Sequence, residues 1–97
     1  MLKEINGTKI WIEGTWAEVT YNGLHIFEGS VSEGMTHEEL YKDLYSTVVF
    51  KIKGETVWTL DTLTEVYGER ADIQRRLAKA NNCNIEDVEI EIEYPSI

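Results

Sequence analysis

Two short turns constrain this chain more than any other feature. Gly14-Thr15 separates the alternating segment Thr8–Glu13 (TKIWIE) from Trp16–Tyr21 (WAEVTY), and Asn22-Gly23 separates the latter from the segment starting at Leu24. Glycine first in a two-residue loop marks a type II′ hairpin, and Asn-Gly marks type I′. Loops this short fix register. The first turn sets Glu13 opposite Trp16, Ile12 opposite Ala17, Trp11 opposite Glu18 and Ile10 opposite Val19. The second sets Tyr21 opposite Leu24, Thr20 opposite His25, Val19 opposite Ile26 and Glu18 opposite Phe27. The two assignments agree about faces. One face collects Ile10, Ile12, Ala17, Val19, Tyr21, Leu24 and Ile26; the other collects Trp11, Glu13, Trp16, Glu18, His25 and Phe27. A one-residue slip in either hairpin would mix the sets. The aliphatic face reads as core, and the aromatic and acidic face is unusual for a purely solvated surface.

Further along, residues 48–53 (VVFKIK) and 56–60 (TVWTL) flank Gly54-Glu55, which predicts a third hairpin with another Gly-first loop. That register sets Lys51 beside Trp58, where a cation–π contact can form, but a tryptophan simply packed at a sheet edge is the preferred reading. Residues 88–94 (VEIEIEY) alternate cleanly, with Val88, Ile90, Ile92 and Tyr94 on one side, Glu89, Glu91 and Glu93 on the other, and Pro95 as terminator.

Two helices complete the pattern. Thr36 and Glu39 form a capping box ahead of Leu40, Tyr41, Leu44 and Tyr45. Thr62 and Glu65 form a second box, which predicts a helix from about 61 or 62 to the Asn81-Asn82 stop, with a kink or break at Gly68. From Leu24 the order is β-α-β-β-α-β. With 97 residues, the chain reads as a single α+β domain, 1–97. The predicted fold is an antiparallel sheet with two helices on one face, ferredoxin-like βαββαβ with an added N-terminal β-hairpin. A ubiquitin-like β-grasp is the alternative, and the length of the second helical region favours the first.

Chemistry is thin in this sequence. His25 and His37 are isolated, and Cys83 stands among asparagines with no neighbouring base to lower its pKa. One cysteine permits no intramolecular disulfide, which suits a cytoplasmic setting. No glycine-rich phosphate loop occurs, and 82–87 lacks the spacing of a calcium loop. The reading is therefore a non-enzyme without metal or cofactor. No apolar run is long enough for a membrane span. Nine basic residues against 18 acidic ones leave a net charge of -9, which argues against direct nucleic-acid binding.

That charge is unevenly placed. No basic residue stands between Lys9 and Lys42, and none follows Lys79, whereas Arg70, Arg75, Arg76 and Lys79 gather on the second helical region. Glutamates on an open strand face commonly serve solubility and block edge pairing, and basic residues late in a helix complement its dipole. Two features go further. Glu89, Glu91 and Glu93 form a row spaced about 6.7 Å apart, which can imitate phosphates before a basic groove. Trp11, Trp16 and Phe27 share a face with Glu13 and Glu18, and aromatics ringed by charge mark interface hot spots. In size, charge and lack of catalytic groups the chain resembles phage-encoded anti-defence proteins, including anti-CRISPR proteins and DNA mimics. The likeness is compositional and covers no diagnostic motif. It implies an inhibitor or adaptor docking on a protein partner with a basic surface, such as a nuclease or a nucleic-acid-binding protein. A self-associating structural or regulatory module, with the aromatics buried in a homodimer, is the alternative.

Overall fold

The computed structural model describes residues 1–97, which form two compact units: Met1–Asp43 with Ser96–Ile97, and Leu44–Pro95. Seven antiparallel-paired strands fall into two sheets, ordered β1-β2-β3-β4 and β6-β5-β7.

The first unit is a four-stranded meander, β1 (Leu2–Ile5), β2 (Thr8–Glu13), β3 (Trp16–Tyr21) and β4 (Leu24–Ser30), followed by α1 (His37–Leu44). The β2–β3 register is the expected one, pair for pair from Ile10↔Val19 to Glu13↔Trp16. Gly14 at φ +60° supplies the left-handed corner that its turn needs. Asn22 and Gly23 both have positive φ, as a type I′ turn requires. The strand β1 is additional to the elements expected from the sequence. It joins through Asn6-Gly7, whose φ values of 48° and 83° repeat the same turn chemistry. Ile5, Ile10, Ala17 and Val19 are buried on one face. Lys3 shares that face with Ile10, and its ammonium pairs with Glu38 of α1 at 3.0 Å. The Asn6 amide also donates to the Tyr41 hydroxyl at 3.3 Å, so α1 buries Leu40 and Tyr41 on the aliphatic side. The Thr36 capping box forms as expected: the Glu39 N–H donates to Thr36 Oγ1 at 3.1 Å, and the Thr36 N–H donates to Glu39 Oε1 at 3.3 Å.

The second unit holds β5 (Thr47–Ile52), β6 (Glu55–Asp61), a 3₁₀ turn at Thr62–Thr64, α2 (Glu69–Ala80), a second 3₁₀ turn at Ile85–Asp87, and β7 (Glu89–Glu93). Both β6 and β7 run antiparallel to the central β5. They are therefore parallel to each other, and α2 joins them across β5 as a split βαβ unit. Val48, Phe50, Ala78 and Val88 form its buried cluster, with Val57, Leu60, Ile73, Leu77, Cys83 and Ile90 packed against it.

Three expectations are corrected. The third hairpin turns at Lys53-Gly54, both at positive φ, and not at Gly54-Glu55. Trp58 consequently pairs with Phe50, and Lys51 instead meets Glu91 at 3.0 Å. The second helix begins only after Gly68, which serves as its N-cap at φ 81°. Thr62 does not cap it: its hydroxyl donates to the Ser46 carbonyl at 2.7 Å, and Glu65 binds Arg70. Finally, an α+β chain with antiparallel pairing and two helices is what forms, but the strands occupy two sheets. The single sheet of the ferredoxin-like or β-grasp arrangement is not seen, because β4 pairs only with β3.

Candidate partner-binding face

The face of the first sheet opposite Ile10 and Val19 is built by strand alternation. Across the sheet it forms three rows. Glu4, Lys9, Thr20 and His25 make one row; Leu2, Trp11, Glu18 and Glu28 make the next; Glu13, Trp16 and Ser30 make the third. Rows lie about 6.7 Å apart, and neighbours within a row about 4.8 Å apart. Four carboxylates thus share this face with one lysine and a histidine. Trp16 is 42% exposed and Leu2 60%, while Trp11 is half-buried. The indoles stand at the surface, among the acids.

Phe27 is not with them. A bulge between Val19/Thr20 and their partners leaves Ile26 unpaired, so Phe27 faces Val19 and not Glu18. Its ring lies over Gly29, where an added Cβ would stand 3.3 Å from the ring tip. Two residues on a bulged strand oppose one on the partner, and here those two are the adjacent apolar pair Ile26 and Phe27, both half-buried. Strict alternation would have left one of them in water. Glu28 takes the place expected for Phe27.

Glu18 therefore stands directly across from Glu28. Like charges directly opposite on a sheet are destabilising. The only ion pair in reach is weak, His25 Nε2 at 3.6 Å from Glu28, with both side chains about half exposed. Glu13 and Glu18 make no ion pair. The cross-strand partners Leu2, Glu4 and Lys9 complete the face, and the Asn6-Gly7 turn that brings the first two there carries the same signal as Asn22-Gly23.

Glu89, Glu91 and Glu93 belong to the second unit, on the edge strand β7. They point away from the Val48 and Phe50 side, in register with Lys51, Val49 and Thr47. The row is interrupted as a run of free charge, since Glu91 is held by Lys51. The three arginines of α2 are likewise engaged: Arg70 grips Glu65 through two hydrogen bonds of 3.1 and 2.9 Å, and Arg76 and Arg75 meet Asp72 at 3.0 and 3.6 Å.

One carboxyl is displaced from its ordinary value. The hydrogen bond from Lys3, aided by that ammonium's charge, holds the Glu38 carboxyl below its ordinary range. No three of the His, Cys, Asp and Glu side chains come together as metal ligands would. No helix is long and apolar enough to cross a membrane. Comparison with protein-family models, with curated proteins and with solved structures finds no match.

Proposed function

We propose that this chain is a non-catalytic protein-binding inhibitor or adaptor, and that it docks on the basic surface of a nuclease or nucleic-acid-binding protein. The compositional likeness to phage-type anti-CRISPR proteins and DNA mimics favours an anti-defence role within this reading. The observation that supports it is the open face of the first sheet. Trp11 and Trp16 offer the large, rigid apolar area typical of hot spots, and Glu4, Glu13, Glu18 and Glu28 surround them with charge. A net charge of -9 steers a basic partner toward the molecule and opposes a second copy. The facing Glu18 and Glu28 carry the argument furthest. Their mutual repulsion is relieved when an Arg or Lys of the partner inserts between them.

Affinity capture from a host lysate with the immobilised chain tests this reading. The expected result is recovery of a basic nuclease or nucleic-acid-binding protein at low salt, loss at high salt, and loss with Glu13→Lys/Glu18→Lys. Capture that persists at high salt and survives both reversals contradicts it. The glutamates of β7 form a second candidate surface, and reversal of Glu89 and Glu93 in the same experiment shows whether it takes part.

A further inference from the structure

A second docking site stands out in the unit Leu44–Pro95, independent of the reading of the first sheet. The strand β6 is an edge, bonded only to β5, so alternate residues direct N–H and C=O groups outward without a strand to receive them. Its protective features are few. It has no Lys or Pro, and its one bulge, which leaves Val57 unpaired, lies toward the Glu55 end. From Trp58 to Asp61 the pairing to β5 is regular.

Beside this open stretch lies a groove of about 400 Å³. Trp58 forms one wall. The other is a stripe along α2 at helical spacing: Glu69, Asp72, Ile73, Arg76, Leu77 and Ala80. A shallower hollow of about 320 Å³ follows the strand itself along residues 56–59, and Trp58 is common to both. Trp58 is 55% exposed, an unusual position for an indole on the core side of a sheet. A free sheet edge beside a helix-walled apolar groove is the arrangement that receives an extended peptide as an added strand.

Charge selects the occupant. Glu55 and Asp61 bound the strand and make no ion pair, and Glu69 and Asp72 line the groove. The single guanidinium on its wall, Arg76, is already bonded to Asp72 at 3.0 Å. A second copy suits the site poorly. Antiparallel pairing of two β6 strands about Trp58 would set Glu55 opposite the Asp61 of its mate, twice. We infer that β6 and α2 bind an extended segment of a partner protein, paired along Trp58–Asp61, with one bulky apolar side chain in the groove and Lys or Arg flanking it.

The test is an amide chemical-shift titration of the full isotope-labelled chain with a blocked octapeptide in which Leu and Thr alternate between flanking lysines. Controls are the same peptide with its lysines replaced by glutamate, and the same peptide N-methylated at alternate amides in each of the two phases. The expected result is shifts at residues 58–61 and at the Trp58 indole N–H. The glutamate peptide and one of the two N-methylated peptides should bind at least tenfold more weakly. Trp58→Ala and Ala80→Lys, both at exposed positions, should weaken binding to a similar degree while the remaining amide spectrum is preserved. No shift at millimolar peptide, shifts confined to the first sheet, or equal affinity of both N-methylated peptides overturns the inference. Broadening at residues 56–61 on raising the chain's own concentration, with a rising sedimentation coefficient, would assign the edge to a second copy and overturn it equally.

Discussion

Glu18 and Glu28 make opposite demands on stability and on binding. They face each other across β3 and β4, where like charges cost roughly 0.2–1 kcal/mol. Glu18→Gln is therefore expected to stabilise the free chain by about that amount in urea unfolding while weakening partner binding. A destabilised E18Q would show that the carboxylate serves the fold. Trp16 and Phe27 separate in the same way. Trp16 is substantially exposed, so Trp16→Ala should cost no more than about 1 kcal/mol, with the loss falling on binding. Phe27 stacks over Gly29 on the core side, so Phe27→Ala should cost about 2–4 kcal/mol. A reversed order would place the bulge wrongly. Glu38 provides a pH signature. Its folded-state value is depressed by Lys3 below the ordinary carboxylate range, so the pair's contribution is complete above the unfolded-state value and is lost as pH falls through the lower folded one. Carboxyl titration by NMR should show Glu38 returning to its ordinary value in Lys3→Met. An unchanged titration would mean that the ammonium is not responsible.

Among the elements, Gly68 gives the sharpest choice between expectation and outcome. A helix running through it would gain about 1 kcal/mol from Gly68→Ala. At its actual φ of 81°, as the N-cap of α2, the same change should cost about 1–2 kcal/mol, since an alanine there is forced into the left-handed region. Thermal unfolding reads the sign directly. Gly7→Ala should be at least as costly, because φ is +83° and the new Cβ would lie 3.2 Å from the Tyr21 ring. What the sequence made legible follows the same physics. Gly14-Thr15 and Asn22-Gly23 fixed their turns because few other conformations suit those residues. The two bulges were hidden. Both occur where apolar residues are adjacent, at Ile26-Phe27 and Val57-Trp58, and alternation gives no sign that the first of each pair is left unpaired. Lys53-Gly54 was mistaken for Gly54-Glu55 because either dipeptide supplies a left-handed glycine, and only the pairing of Ile52 with Glu55 distinguishes them.

On the scale of the whole molecule, strand pairing between distant segments carries no local signal. Nothing in residues 24–30 or 47–52 announces that these strands join different sheets. Ile10 and Val19 are buried in one unit, Val48 and Phe50 in the other. The candidate face was legible in its centre, where Trp11, Glu13, Trp16 and Glu18 follow from one hairpin. It was illegible at its margins, where β1 and the bulged β4 contribute Leu2, Glu4 and Glu28. The acidic surplus is distributed over both units and supports long-range attraction of a basic partner, an effect that salt screens over about 8–10 Å. The most direct test is the salt dependence of affinity for the captured partner, measured for the native chain, for Glu13→Gln/Glu18→Gln and for Trp16→Ala. The native complex should weaken steeply with salt, the double glutamine variant should show a shallower slope, and Trp16→Ala should lose affinity at every salt concentration with its slope unchanged. Equal slopes for the native chain and the glutamine variant would contradict the assignment of this face to a basic partner.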